Sequence, residues 1–305
     1  MDSLFFNITD TRYKITPLYQ EKKNRIERVD ISNGIVFFEG NLHNRSHIFE
    51  LENLDRMVMI VMVNRGRIML HDRIGERSFR VDEGQTAIYV SSRQKMQMVC
   101  EEAPYSEIFI LFIADFFLKR YLTGNASEPL DLLYAKIQHD VSLEEVNLLP
   151  VDALSLYIVE KLLNVQDEER MQSIRAEHRV VEFMIHRFSL LDILPEGVSS
   201  EEKRLAQEAK KILIAEFIDP PTIELLAHRC ATNASKLKKV FKKVYGTTLY
   251  HYAQKLRLEE ANMLLRQETL SIGEIAKRVG YRHQGHFSKL FYAAYGVYPK
   301  ALRHH

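Results

Sequence analysis

Residues 222–252, TIELLAHRCATNASKLKKVFKKVYGTTLYHY, and residues 271–301, SIGEIAKRVGYRHQGHFSKLFYAAYGVYPKA, are two degenerate copies of one pattern. They align at an offset of 49 residues that becomes 50 after one insertion. Thr222, Ile223, Leu226, Ala227, Cys230 and Ala231 match Ser271, Ile272, Ile275, Ala276, Val279 and Gly280. Leu237, Phe241, Tyr245 and Gly246 then match Phe287, Phe291, Tyr295 and Gly296. The shared positions are almost all apolar or glycine, whereas the filling between them changes from SKLKKVFKK to GHFSKLFYA. A core that is kept while its surface varies reads as one module used twice against two different things.

Each copy reads as a helix-turn-helix. In the second, Ser271 is placed to cap a short helix ending near Arg278, with Ile272, Ile275, Ala276 and Val279 on one apolar stripe. Gly280 supplies the turn, and a helix carrying Phe287, Leu290, Phe291 and Ala294 runs on to stop at Gly296, with Pro299 beyond. In the first copy Thr222 caps, Ala231 stands in the turn, and Asn233 caps a helix whose inner face is Leu237, Val240, Phe241 and Val244, ending at Gly246.

The outward positions of that last helix are Ser235, Lys236, Lys238, Lys239, Lys242 and Lys243, five lysines and no acid. Such a face repels itself unless it is solvated or meets a polyanion. Charge segregation favours the polyanion. Residues 201–305 hold 19 Lys+Arg against 10 Asp+Glu, and the other 200 residues hold 23 against 31, so the formal net charge of +1 hides a basic third and an acidic remainder. Between the copies, residues 249–266 hold Leu249, Tyr252, Ala253, Leu256, Ala261, Leu264 and Leu265 without Gly or Pro, which predicts a helix of roughly 27 Å. One turn of duplex DNA is about 34 Å, so two rigidly joined helices could enter successive stretches of the major groove.

The run LAHRCATNASKLKKVFKKVYGTTLYHYAQKLRLEEANMLLRQ followed by SIGEIAKRVGYRHQGHFSKLFYAAYGVYPKALR resembles the AraC/XylS family of bacterial transcription regulators. The likeness covers 201–303 and involves the IA..VGY turn, the F...F..YG.YP ending and the RL..A..LL connector in order. It implies two recognition helices in adjacent major grooves. Their base-facing positions fall on Ser235, Lys238 and Lys239 in the first copy and on Gln284, Gly285, His286, Ser288 and Lys289 in the second. Lys236 and Lys242 complete the DNA-binding set, with Lys242 expected on phosphate. The partners it implies are double-stranded promoter DNA and RNA polymerase, together with a small-molecule effector and a second copy of the chain. The sequence departs from the family pattern at Asn233, where Ser is common, and at His283, where Asp or a small residue is common. Lys239 and Lys289 stand where Arg is usual. Lysine reaches guanine O6 and N7 without the fixed fork of arginine, and Gly285 offers no side chain, so the first helix is expected to supply charge and the second, through Gln284 and His286, discrimination.

The 305 residues suffice for two domains. No run of 18 apolar residues occurs, the start MDSLFFNITDTRYK is too polar for a secretory signal, and the two cysteines, Cys100 and Cys230, lie far apart. A soluble cytoplasmic protein without disulfides or membrane is expected. Short runs at 34–39, 48–52, 57–63, 67–71, 86–90, 96–100 and 108–113, separated by turn signals, predict strands of a small barrel or double-stranded β-helix. This agrees with the cupin-like sensor that AraC relatives carry. The alternation offers Phe37, Met59, Val61, Met69, Tyr89 and Met98 as inward residues, lining either a pocket or a packed core. Metal cupins use a closely spaced His pair, a Glu and a distant His; here His43 and His47 have three residues between them and His71 is alone, so no metal, cofactor or enzymatic activity is expected. Val151, Leu154, Ile158, Leu162 and Val165 recur at helical spacing, widened by Leu156, Val159 and Leu163, as a helix that either pairs two copies or packs on its own barrel. A second helical stretch, 174–191, precedes the linker candidate 194–200.

The expected architecture is therefore α+β: a cupin-like sensing domain over 1–130, a helical dimerisation segment and linker over 131–200, and an all-α double helix-turn-helix over 201–305. The expected function is sequence-specific transcription regulation, chiefly activation. A cupin-type metalloenzyme with an accessory nucleic-acid-binding domain is the rival from another class.

Overall fold

The computed structural model describes residues 2–5, 13–32, 34–53, 56–92, 94–124, 128–139, 142–167, 171–191, 198–266 and 270–302. The chain divides into two compact units, residues 1–151 with 161–191, and residues 152–160 with 192–305.

The first unit is built on β1 (Asp2–Phe5), β2 (Lys14–Glu21), β3 (Asn24–Ser32), β4 (Ile35–Leu42), β5 (His47–Asn53), β6 (Met57–Arg65), β7 (Arg67–Asp72), β8 (Arg77–Asp82), β9 (Gln85–Ser91), β10 (Gln94–Cys100), β11 (Ser106–Ala114) and β12 (Glu144–Pro150). They form a five-stranded sheet in the order β1-β5-β10-β7-β8 and a seven-stranded sheet in the order β12-β9-β6-β11-β4-β3-β2. Every pairing is antiparallel except β1 with β5. The inner faces share one core, including Val36, Phe38, Phe49, Leu51, Met59, Val61, Ile68, Leu70, Tyr89, Met98, Ile110 and Phe112. This is the two-sheet arrangement expected of a cupin-like barrel.

All seven sequence-predicted runs are strands. The ones not anticipated as such include the edges of both sheets: β1 and β8 of one, β12 and β2 of the other. Edge strands carry polar residues and proline because their outer backbone faces solvent, and KITPLYQE, RSFRVD and EEVNLLP have that composition. In contrast, Met57 to Val63 of β6 are buried on both faces, which gives an unbroken apolar run.

Two of the inward residues are reassigned. Phe37 is fully buried on the other face of its sheet, where its ring lies 5.3 Å from that of Phe109, which in turn meets Phe183 at 5.9 Å. Met69 points away from the core, since Ile68 and Leu70 on either side are the buried pair. Both are one-residue errors of register, and a period of two turns each such error into a change of face.

The helices that follow are α1 (Asp115–Leu118), α2 (Pro129–Gln138), α3 (Ala153–Leu163) and α4 (Gln172–Ser189). Val151, Leu154, Ile158, Val159, Leu162 and Val165 are buried, while Leu156 and Leu163 of the same stripe are half-buried. Most of the linker candidate, 194–197, lies outside the described residues.

The second unit consists of α5 (Ser200–Ala215), α6 (Ile223–Arg229), α7 (Ala234–Tyr245), α8 (Leu249–Leu264), α9 (Ile272–Arg278) and α10 (Gln284–Tyr295). Leu205, Ala206, Ala209 and Leu213 of α5 join Leu226, Ala227, Leu237, Val240, Phe241, Val244, Leu249 and Ala253 in one core. Leu258 and Ala261 of α8 are buried, as are Ile275, Ala276, Val279, Phe287 and Phe291 of the second copy. Asn262 of α8 is buried too. Its amide donates to Asp152 Oδ1 at 2.7 Å and its Oδ1 accepts from the Leu154 N–H at 2.8 Å, which accounts for residues 152–160 grouping with this unit.

Candidate nucleic-acid interface

The caps of both modules form as local chemistry requires. Thr222 accepts from the Leu225 N–H at 3.3 Å and Asn233 from the Lys236 N–H at 2.8 Å, while Ser271 and Glu274 form a reciprocal capping box. His283, at the same place before α10, makes no side-chain cap, because the imidazole does not close the short loop that Ser, Asp or Asn closes. Gly246 and Gly296 end α7 and α10 in left-handed conformations, at φ 68° and 72°.

The connector α8 is 16 residues long, about 24 Å at the α-helical rise and slightly shorter than the 18-residue run anticipated. Arg257 makes it a rigid joint. Its guanidinium donates to the carbonyl oxygens of Phe217 at 2.7 Å and Ile218 at 2.9 Å, just ahead of the first module, and lies 5.6 Å from the ring centre of Tyr281 in the turn of the second. One side chain thereby ties both modules to the strut between them. Arg229, in the last turn of α6, forks onto Glu216 at 2.9 and 2.7 Å, and these hydrogen bonds hold the Glu216 carboxyl below the usual carboxylate range.

On α7, Ser235, Lys236, Lys238, Lys239, Lys242 and Lys243 are all exposed, opposite the buried Leu237, Val240, Phe241 and Val244. The lysines are not equivalent. Lys236 donates to Glu201 at 2.9 Å and Lys243 to Glu202 at 2.7 Å, both carboxylates standing in the first turn of α5. The hydrogen bond from each lysine pushes its partner carboxyl below the ordinary range. Lys238, Lys239 and Lys242 have no ion pair among the described residues. On α10, Gln284, Gly285, His286 and Lys289 are exposed and Ser288 is half-buried, opposite Phe287 and Phe291. The residues anticipated as base-facing thus stand together on the outer faces of two helices. What sequence reasoning missed is the pair Glu201 and Glu202, which lie 35 and 41 positions from their lysines.

These two acids lead to a testable result. The double variant Glu201→Gln, Glu202→Gln is expected to release Lys236 and Lys243 to phosphate and steepen the salt dependence of duplex binding by up to about two units of log K per log salt. Fluorescence anisotropy across a salt series reads this directly, and an unchanged slope would show that the two lysines never reach the duplex.

Elsewhere the described residues show no group of three or more His, Cys, Asp or Glu placed to hold a metal ion. The His43 ring stacks on Tyr105, His47 lies between Tyr19 and Phe49, and His71 Nδ1 bonds Ser78 Oγ at 2.8 Å. Cys100 and Cys230 are free thiols, and no described helix is long and apolar enough to cross a membrane.

Comparison with known proteins finds a family likeness in the C-terminal part of the chain. Residues 226–305 match a family described as a helix-turn-helix domain. The transcriptional activator RhaR of Pectobacterium carotovorum is 35% identical over 91 residues, which is 30% of this chain and 32% of that protein. The transcriptional regulator GbdR of Pseudomonas aeruginosa is 24% identical over 184 residues, 60% of this chain and 43% of that one. The chain thus spans about a third of the first relative's length and under half of the second's. Among solved structures, an AraC-type DNA-binding regulator from Chromobacterium violaceum aligns with 35% of this chain and 95% of its own at 25% identity and a TM-score of 0.33.

Proposed function

We propose, from the premise that the C-terminal third of this chain belongs to the AraC-type helix-turn-helix regulators, that the protein is a sequence-specific DNA-binding regulator of transcription, acting in the cytoplasm chiefly as an activator. It places α7 and α10 in adjacent segments of the major groove. The barrel unit senses an effector and does no chemistry of its own. The outer face of α7 carries this proposal: Lys238, Lys239 and Lys242 stand exposed with no carboxylate partner among the described residues, opposite the buried face of the helix. Such a face gains free energy by displacing counterions from a phosphate backbone. Gln284 and His286, short-range donors and acceptors on α10, are suited to read base edges.

Roles divide by chemistry. Lys239→Ala and Gln284→Ala are each expected to cost about 1–3 kcal/mol on the cognate site and relax preference at one base pair, whereas Lys242→Ala should weaken every duplex alike and lower the salt slope by about one. Competition of labelled operator DNA against random duplex distinguishes them. Equal losses on both duplexes for all three variants would refute the division between base readers and phosphate contacts.

A further inference from the structure

Among the described residues, a void inside the barrel, among Ile26, Phe38, Phe49, Met98, Cys100 and Ile110, is about 20 Å³, the space of one water molecule. A far larger cavity, about 420 Å³, lies outside the sheets, between α4 and the start of α2, within the size range of small-molecule sites. Val181, Met184, Ile185 and Phe188 follow one another at i, i+3, i+4 and i+7, so α4 offers a single apolar stripe as one wall. Pro129, Leu130 and Tyr121 form the other. Met184 and Phe188 are buried, yet Ile185 is 67% exposed, an apolar surface left to water inside a concavity.

The rim decides what fits. Asp131 accepts from the Thr123 N–H and hydroxyl, each at 3.2 Å, and from the Gly124 N–H at 2.7 Å. The Ser189 hydroxyl donates to the His186 carbonyl at 2.7 Å. Both hydroxyl hydrogens are thereby used internally, so neither is left to donate to a ligand. Asp131, in the first turn of α2, already answers the partial positive charge of that helix end. Glu128 beside it has no ion pair among the described residues. No Lys, Arg or His is among the described residues lining the cavity. The site therefore presents negative charge, acceptors and an aromatic face over an apolar floor, the complement of a cation with a hydrocarbon body.

We propose that this groove binds an amphiphilic organic cation, an alkylammonium-type ligand. This supplies an effector class for the regulator proposed above and rests on that reading for its role alone. Binding is measured on the full chain without DNA, so its failure and a failure of DNA recognition are separate results. Isothermal titration at pH 7 with decylammonium chloride and sodium decanoate, each below its micelle concentration, and decanol, below its solubility limit, is the test. Decylammonium is expected to bind one per chain and at least about tenfold more tightly than decanoate. Glu128→Gln should bring the two ligands to near equality. Ile185→Arg, an exposed position where folding should be unaffected, should remove decylammonium binding, and Val181→Trp should do so by filling the groove. Decanoate binding as tightly as decylammonium, wild-type affinity in both Ile185→Arg and Val181→Trp, or no heat with any of the three ligands would each overturn the proposal.

Discussion

Gly280→Ala is expected to lower the stability of the C-terminal unit by about 3 kcal/mol or more, whereas Gly246→Ala should cost only about 1 kcal/mol. Both glycines have positive φ, at 89° and 68°. Nothing lies within 4 Å of a Cβ placed on Gly246. At Gly280 the same atom would fall inside contact distance of the Ile218 carbonyl oxygen and 3.3 Å from the Arg257 guanidinium. Ile218 and Arg257 are hydrogen-bonded to each other, so relief requires moving backbone and breaking the joint between the modules. Thermal unfolding followed by the helical circular dichroism signal should show Gly280→Ala falling by roughly 10 °C and Gly246→Ala by a few degrees. If the two melt within about 2 °C of each other, the close packing of this turn is not what Gly280 is for.

The first module shows the contrast within the same chain. Ala231 occupies the equivalent turn at φ 52°, and the two turns share their hydrogen bonds: Thr232 N–H to the Ala227 carbonyl at 3.0 Å, and Tyr281 N–H to the Ala276 carbonyl at 2.8 Å. A φ near 50° is within reach of an L residue at about 1 kcal/mol, so Ala231→Gly should be close to neutral, its relieved strain offset by a more flexible unfolded chain.

The triple variant Lys238→Ala, Lys239→Ala, Lys242→Ala is expected to weaken binding to the cognate duplex about 100-fold at physiological salt, to weaken random duplex less, and to reduce the salt slope by about one unit, the share of Lys242. These three cations have no carboxylate partner among the described residues, and they stand on one outer face of α7. Their removal leaves the buried face of α7 untouched, so helix content and melting temperature should hold while affinity falls. Lys236 and Lys243, tied to α5, should give a smaller loss when replaced. A triple variant that binds random duplex as the wild type does, with the same slope, would remove α7 from the interface and with it the basis for reading this unit as a DNA-binding one.

Much of the C-terminal unit was legible in sequence because its signals are short in range. A stripe at i, i+3 and i+4, a cap bonded three residues on, and a glycine past the last turn are each decided within about one helical turn, and Thr222, Asn233, Ser271, Gly246 and Gly296 all stand where that chemistry puts them. His283 is the exception, a cap position occupied without a cap. Strands were legible where the apolar run is unbroken, and missed at the sheet edges, whose outward backbone tolerates Pro17, Pro150 and charged side chains, and at the interior β3, where Arg25, Glu27, Arg28 and Asp30 interrupt the apolar residues.

The sequence by itself determined that the chain carries a duplicated helical module with one lysine-rich outer face, and a strand-rich acidic part ahead of it. Only the tertiary structure decided which of those lysines pair with Glu201 and Glu202, that Arg257 joins Ile218 to the turn at Gly280, that Phe37 and Met69 face away from the barrel core, and that a groove wide enough for a ligand lies beside the sheets. Local hydrogen bonds and periodicity are fixed by neighbours along the chain. Ion pairs across 35 to 41 residues, strand register and voids depend on which distant segments are brought together, and a one-residue shift in that pairing rearranges them all.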